Sequence, residues 1–148
     1  MPPEENKAVV RRFLEEIFSG GNLELVDELF APHYVLHDPA VPGEVRGPEG
    51  VKQYVGMYRG AYPDTRFTVE DQIAEGDEVI TRWTGRGTHQ GELMGIPPTG
   101  QEVTVTGIEF DRVSGGKLEE TWVTYDALGM MQQLGVVPSS EQAEGQPA

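Results

Sequence analysis

The fold is decided by one stretch near the C-terminus, where residues 103–125 are VTVTGIEFDRVSGGKLEETWVTY. β-Branched and aromatic residues dominate it on both sides of Ser114-Gly115-Gly116-Lys117, a sequence typical of a hairpin turn. The stretch therefore predicts two long antiparallel strands, Val103–Val113 and Leu118–Tyr125. Apolar side chains change from odd to even positions across Gly107, so we expect a bulge or bend there that curves the sheet.

Outward from the hairpin, the periodicity of apolar residues predicts helices first and strands afterwards. Three helices are expected in the N-terminal part, with Asn22 capping the second and Pro48 in the first turn of the third. A short strand, Tyr34–Asp38, separates the last two helices, and strands over residues 67–73 and Val79–His89 precede the hairpin. The predicted fold class is α+β, a curved antiparallel sheet with three N-terminal helices on one face, which leaves a cone-shaped pocket.

Composition limits the functions open to this chain of 148 residues. It carries 25 acidic and 11 basic side chains, a formal charge of −14, and no cysteine. This charge repels phosphate backbones and anionic lipids, so neither nucleic acid nor a membrane is an expected partner. The absence of cysteine excludes disulfides, thiolate metal sites and cysteine nucleophiles. No export signal and no membrane-spanning apolar run is visible, which predicts a cytoplasmic protein.

The length predicts a single domain over residues 1–137, followed by a flexible tail over residues 138–148, which has almost no apolar side chains. The sequence contains neither a phosphate-binding glycine loop nor a GxSxG elbow. Its three histidines are poorly spaced for a metal, although His37, Asp38 and His89 could meet in space. We expect no metal site.

Several short segments, taken in order, resemble the SnoaL-like polyketide cyclases, a family often labelled ester cyclases. They are NKAVVRRFLEEIF at 6–18, FAPHY at 30–34, HDP at 37–39, GPEG at 47–50, HQG at 89–91, GIPPTG at 95–100 and DALGMMQQLG at 126–135. The resemblance rests on the order and spacing of these segments. It implies a nuclear-transport-factor-like cone fold, an apolar small-molecule ligand, a homodimer or small oligomer, and acid/base chemistry without a cofactor.

Cyclases of this family close a ring on a polyketide methyl ester by an intramolecular aldol reaction. The reaction needs a base for the proton α to a carbonyl and a donor that stabilises the enolate. The well-studied members use an aspartate in the last strand and a histidine in the strand before it. Aligned on the hairpin glycine-lysine and the terminal QLG, those positions fall on Val123 and Glu109. An apolar side chain thus stands at the expected aspartate position, and a carboxyl group replaces the histidine.

Glu109 is the leading candidate for proton transfer, because it lies between Ile108 and Phe110 in an apolar strand. If its side chain faces the cavity, burial raises its pKa and makes it a usable base or acid. If the strand is turned the other way, Glu109 is an ordinary carboxylate in solvent.

Three further catalytic candidates are Asp38, His37 and His89. Asp38 precedes Pro39 at a position that resembles that of the base aspartate in the related ketosteroid isomerases, or it caps the turn there. His37 contacts a ligand or bonds to the backbone. His89 donates to a ligand carbonyl or phenolate, or it anchors the loop over residues 91–100.

The residues expected to line the ligand pocket are Tyr54, Tyr58, Trp83, Val123 and Tyr125. The first two share one stripe of the third helix, which roofs the cavity in a cone fold. Trp122 has the opposite parity to its neighbour Val123, which favours a place at a dimer interface. Asp126 is expected to cap the last helix rather than to act as a catalyst.

Two functions from different classes are consistent with these features. The first is a SnoaL-like acid/base enzyme, a cyclase or isomerase acting α to a carbonyl of an apolar, polyketide-like substrate. The second is a non-catalytic protein that binds a hydrophobic ligand, which Val123 at the aspartate position favours. Hydrolysis, such as epoxide opening, is a third possibility if Asp38 and Glu109 converge on one water.

Overall fold

The computed structural model describes residues 2–138 and has helices packed on one face of a six-stranded sheet. In chain order the elements are α1 (Pro3–Arg12), a π-helical continuation (Phe13–Ser19), a 3₁₀ turn (Leu23–Leu25), α2 (Val26–Leu29), β1 (Phe30–His37), β2 (Val45–Arg46), α3 (Gly47–Ala61), β3 (Arg66–Glu75), β4 (Glu78–Thr88), β5 (Glu102–Ser114), β6 (Lys117–Tyr125) and α4 (Ala127–Leu134). The predicted α+β class is confirmed. The predicted tail, apart from Pro138, lies outside the described residues.

The first helix is fixed to the rest of the fold at its C-terminal end. The Ser19 hydroxyl donates to the carbonyl of Leu14 (3.0 Å) and accepts from the backbone N–H of Phe67 (2.8 Å). The Arg59 guanidinium donates to the carbonyl oxygens of Phe18 (2.7 Å) and Ser19 (3.0 Å). These bonds hold the aromatic end of the helix against α3 and β3. None of the helices that the structure describes combines the length and apolar composition needed to cross a bilayer.

The spacing of Leu23, Val26, Leu29 and Phe30 predicts a second helix that faces inward on these residues and ends at Pro32. The helix is shorter than this in the structure, and its predicted cap is wrong. Asn22 makes no capping hydrogen bond, and the α-helical part, α2, comprises only four residues. Phe30, expected at the inner face of this helix, is already extended and begins β1. Its ring packs edge-on against those of Phe13 (5.0 Å between centroids) and Tyr34 (4.6 Å). This packing in the core outweighs the helical spacing of the local sequence.

The sheet has the strand order β2-β1-β6-β5-β4-β3. Strands β3 to β6 form the predicted antiparallel meander, but β1 pairs with β6 in parallel, with Leu36 opposite Thr121 and His37 opposite Trp122. The predicted all-antiparallel sheet is therefore wrong at this one pair. The side chain of Asp126 accepts from the N–H of Gly129 (2.8 Å) and so caps α4, as predicted.

The change of pattern at Gly107 has a different cause from the predicted bulge. Strands β4 and β5 pair without a break along their whole length. Odd-numbered residues of β5 face the helices throughout, so Glu109 and Asp111 are buried, while Ile108 is 48% exposed on the other face of the sheet. Beyond Gly107 the strand carries acids inward and apolar side chains outward. The pattern changes because the two faces change character, while the pairing of β5 with β4 continues without a bulge.

Gly107 provides the space that the Trp83 indole occupies, since a Cβ atom at this position would lie 2.3 Å from the Cζ2 atom of Trp83. We expect Gly107→Ala to displace the indole and lower the free energy of unfolding by about 1–3 kcal/mol, measured by urea denaturation. In the control Gly56→Ala, in α3, nothing lies within 4 Å of the added Cβ, so stability is expected to be unchanged or slightly raised. Equal midpoints for the two variants would contradict the close contact.

Candidate active site

A cavity of about 80 Å³ lies between the helices and the inner face of the sheet. The five side chains expected to line a pocket, Tyr54, Tyr58, Trp83, Val123 and Tyr125, all contribute to its wall. Most of the wall is aromatic or aliphatic, with the aromatic rings of α3 facing those of the sheet. Two charged residues also line it. Glu109 is buried, whereas Arg86 is exposed and therefore marks the mouth.

Glu109 faces the cavity because strand alternation directs the odd positions of β5 inward. It is paired with Thr81 of β4 on one side and Val123 of β6 on the other, and only 2% of its surface is exposed. Burial raises the pKa of Glu109 well above its usual range, and the neighbouring Asp111 carboxylate raises it further. Glu109 therefore keeps a proton under conditions in which an ordinary glutamate is ionised.

Asp111 is a second buried acid, and the sequence analysis missed it. It lies two residues after Glu109 on the same face of β5 and is completely buried. The hydroxyl of Thr121, its partner across β6, donates to the Oδ1 atom of Asp111 (2.5 Å). Burial raises the pKa of Asp111 to about 6, and hydrogen bonds from Glu109 and Thr121 limit the rise. The alternation that placed Glu109 inside would have placed Asp111 inside as well.

Asp38 is connected to the cavity through tyrosine hydroxyls. Its Oδ2 atom accepts from Tyr54 (2.6 Å) and, at longer range, from Tyr58 (3.4 Å). The hydroxyls of Tyr58 and Tyr125 are hydrogen-bonded to each other (2.9 Å). Burial raises the pKa of all three tyrosines, so they remain protonated donors. The Oδ1 atom of Asp38 accepts from the N–H of Ala40 (2.8 Å), so the same carboxylate also caps the turn after β1.

His37 lies in a groove on the outer face of the sheet, beside Asp38. Its ring is stacked on that of Trp122, with 5.3 Å between the centroids. Its Nε2 atom is 2.7 Å from a carboxylate oxygen of Glu120, and its Nδ1 atom is 3.1 Å from one of Glu44. These contacts tie the end of β1 to β6 and to the following loop. They leave His37 outside the space into which Glu109 faces.

His89 is fully buried at the base of the loop over residues 91–100. The backbone N–H of Thr99 donates to its Nδ1 atom (3.2 Å), and its own backbone bonds to Gln101 (2.9 Å) and Gly100 (2.8 Å). This is the geometry of a loop anchor. Within the part of the chain that the structure describes, neither histidine lines the cavity, and no three His, Asp or Glu side chains gather to hold a metal.

The buried acids predict a pH-dependent stability. The pKa values of Glu109 and Asp111 are higher in the folded than in the unfolded chain, so the folded state binds more protons and loses stability as the pH rises from about 4 to about 6 and beyond. In Asp111→Asn, we expect the free energy of unfolding to decrease by about 1–3 kcal/mol less across this pH range than in wild type. Urea denaturation at several pH values measures this. The control is Asp27→Asn, at an exposed position. A difference from wild type that does not change with pH would contradict the raised pKa of Asp111.

Comparisons with a family sequence model and with individual proteins identify the same kind of relative. The sequence model of the SnoaL-like polyketide cyclases matches residues 8–134. Nogalonic acid methyl ester cyclase of Streptomyces nogalater is 29% identical over 119 residues, 80% of this chain and 89% of that protein. Aklanonic acid methyl ester cyclase DnrD of Streptomyces peucetius is 29% identical over 132 residues, 86% of this chain and 88% of the relative.

A solved structure gives the same relationship in three dimensions. IdmH from Streptomyces antibioticus is similar to this chain with a TM-score of 0.77 and 35% identity, covering 88% of this chain and 98% of IdmH. Sequence and fold therefore agree over nearly all of the described residues. The chain belongs to the SnoaL-like polyketide cyclase family.

Proposed function

We propose that this protein is a cyclase or isomerase that acts at the carbon α to a carbonyl group of an apolar, polyketide-like molecule. The observation that carries the proposal is a carboxyl group, Glu109, that is 2% exposed in the wall of a mainly aromatic and aliphatic cavity. Perturbed acids in such cavities are characteristic of proton-transfer sites. The relatives named as cyclases of acid methyl esters support the substrate class.

The chemistry assigned to Glu109 is the movement of one proton. In an aldol closure, the C–H bond α to a carbonyl loses its proton, and the resulting enolate carbon forms a C–C bond to a second carbonyl. The alkoxide formed there then takes up a proton. A carboxyl group that receives the first proton and delivers the second balances the reaction, and a raised pKa makes it a stronger base than an ordinary glutamate. No electron is gained or lost overall, so the reaction requires no redox cofactor, and we propose that acid/base side chains carry it without any other group.

Tyr58 and Tyr125 are the groups we assign to the developing negative charge. Both line the cavity, and both hold their protons because burial raises their pKa values. One of their two hydroxyl protons forms the bond between them (2.9 Å), and the second has only a long contact to Asp38 (3.4 Å) available. That second proton can be donated to an enolate oxygen, while the shorter hydrogen bond from Tyr54 keeps the Asp38 carboxylate in place beside the pair.

The size of the cavity limits how the ligand binds. Its volume, about 80 Å³, is well below the ~300–1,000 Å³ of sites that enclose a drug-sized ligand. We therefore expect the reacting ring to enter the cavity while the rest of the molecule lies at the mouth near Arg86. Tyr58 and Tyr125 are only partly buried, so their hydroxyls are within reach of a ligand that enters from the mouth. His37 and His89, which we expected to contact the ligand, are assigned instead to fixing the end of β1 and the 91–100 loop.

One observation favours the alternative, a protein that binds a hydrophobic ligand without turning it over. Val123 lies directly opposite Glu109 in the β5–β6 pair and lines the cavity. This position is the one at which the resemblance leads us to expect an acid/base aspartate. An apolar neighbour improves binding of an apolar ligand but contributes nothing to proton transfer.

Turnover of nogalonic acid methyl ester, followed by liquid chromatography and mass spectrometry, tests the enzymatic proposal. We expect Glu109→Gln to lower kcat/KM by about 100-fold or more, because it removes the proton-transfer group. The affinity for the ester is expected to change little, since the amide has the shape of the carboxyl.

The control for this experiment is Glu75→Gln, on the exposed side of β3, which should turn over the ester like wild type. Equal turnover by Glu109→Gln would refute the role of Glu109. Tight binding of the ester by wild type and Glu109→Gln alike, with no product from either, would establish the binding protein instead.

The outer face of the sheet is proposed to bind a second copy of the chain. A row of side chains crosses four paired strands there, with Ile73 opposite Ile80, Ile80 opposite Phe110, and Phe110 opposite Trp122. Ile73 is 69% exposed and Trp122 is 43% exposed, although both are large and apolar. Two such rows packed face to face would remove this surface from water.

Analytical ultracentrifugation tests the homodimer. We expect wild type to sediment as a dimer and Ile73→Glu to sediment as a monomer, because the new charge would be buried without a partner at the interface. Leu128→Glu replaces a similarly exposed leucine (63%) of α4, which is not part of this row, and should remain dimeric. Monomeric wild type, or a dimer that survives Ile73→Glu, would contradict this interface.

A further inference from the structure

The two acids of β5 form a pair whose hydrogen bonding is incomplete when both are ionised. Glu109 and Asp111 extend from the same face of the strand, within hydrogen-bonding reach of each other. The Oε2 atom of Glu109 and the Oδ2 atom of Asp111 have no hydrogen-bond partner among residues 2–138. Two carboxylates are both acceptors and cannot satisfy each other, but a proton on either one turns it into a donor. The pair is therefore satisfied when it holds one proton.

The surroundings of the pair supply no other compensation. From β6, Thr121 donates to Asp111, and from β4, Thr81 and Val79 lie opposite the two acids. From β1, the Tyr34 hydroxyl faces the pair. Burial is the main cause that raises the pKa of Tyr34, and Asp111, Glu109 and, more weakly, Glu120 raise it further. Within the described residues, no Lys, Arg or His forms an ion pair with either acid. A proton is thus the available counter-charge.

The two members of the pair have different access to a ligand. Glu109 lines the cavity, as does Thr121, whereas Asp111 is completely buried and is not part of the wall. A ligand can therefore exchange a proton with Glu109 only. When Glu109 already carries the shared proton, it accepts another only if its own proton has somewhere to go. Asp111 is the group within reach.

We propose that Asp111 is a positioning residue that stores the proton displaced from Glu109 while Glu109 exchanges protons with the substrate, an inference that rests on the proposed function. As the C–H bond of the substrate breaks, its proton goes to the cavity-facing oxygen of Glu109, and the shared proton passes from Glu109 to Asp111. After the C–C bond has formed, Glu109 protonates the alkoxide oxygen and recovers its proton from Asp111. The pair begins and ends the cycle with one proton.

The acidity of Asp111 suits this role. Burial raises its pKa to about 6, so the store is empty at neutral pH yet more basic than an ordinary aspartate. The hydrogen bond from Thr121 keeps the pKa from rising further. Together with burial and the hydrogen bond from Glu109, Thr121 thus helps to set the pH below which the store is already filled and Glu109 cannot act as a base.

Titration of the two carboxyl carbons by ¹³C NMR tests the shared proton without turnover. In wild type, we expect the carboxyl carbons of Asp111 and Glu109 to shift together in a step near the pKa of about 6. In Asp111→Asn, the pKa of Glu109 should fall by about one unit or more, because a neighbouring negative charge is removed. In Thr121→Val, the pKa of Asp111 should rise, because a donor to its carboxylate is lost.

The pH dependence of kcat tests the store during turnover. For wild type, kcat should decrease below the pKa of Asp111, about 6. Asp111→Asn should lower kcat by about 10–100-fold with KM within about threefold. Thr121→Val retains both acids and should move the decrease in kcat to higher pH, which provides a readout even if Asp111→Asn does not fold. Glu75→Gln is the control with an unchanged profile.

The two proposals fail in different ways. Independent titration of Glu109 and Asp111, or a wild-type pH profile in Thr121→Val, overturns the proton store even if Glu109→Gln abolishes turnover. A shared titration step in a protein that converts no ester overturns the proposed function, and the catalytic store with it. Coupled titration together with the shifted profile of Thr121→Val supports both.

Discussion

The unbroken pairing of β4 with β5 is the constraint on which the rest of this site depends. Because the register runs without a bulge, every odd position of β5 faces the helices, and two carboxyl groups enter the interior next to each other. Burying them is costly, and the fold offsets the cost with Thr121 and with a proton rather than with a cation. The Trp83 indole of β4 fills the space above Gly107 of β5, so the two paired residues pack directly against each other.

Charge and hydrophobicity on the sheet are arranged in a way that reverses the usual pattern. Beyond Gly107, the acids lie inside and the isoleucine and aromatic side chains lie outside. The proposed ligand would cover the inner face, and the proposed second copy of the chain would cover the outer face. The overall charge of −14 is carried mainly by other, exposed carboxylates, so it does not indicate that Glu109 and Asp111 are buried.

Local periodicity predicted the helical part and the meander, whereas the resemblance to the family led to the residues of the cavity wall, Glu109 and Val123 among them. The sequence-based prediction was wrong where contacts between distant residues determine the local structure. Phe30, for example, is extended rather than helical because it packs between Phe13 and Tyr34. Asp111 could have been predicted as buried, since it lies on the same face of β5 as Glu109. It was missed because the change of apolar pattern at Gly107 was interpreted as a change of face. The hydroxyl bonds to Asp38 depend on how α3 crosses β1, which no spacing in the chain encodes.

The direction of β1 has a consequence of its own. Because β1 and β6 run in the same direction, both end at the same edge of the sheet, where Asp38 follows the last residue of β1 and Tyr125 is the last residue of β6. An antiparallel β1 would bring its first residue to that edge and send Asp38 to the opposite one. The hydrogen bonds that link Asp38 to Tyr125 through Tyr58 therefore depend on the topology of the sheet. The ends of β1 and β6 are far apart in sequence, but they lie side by side because the two strands are parallel.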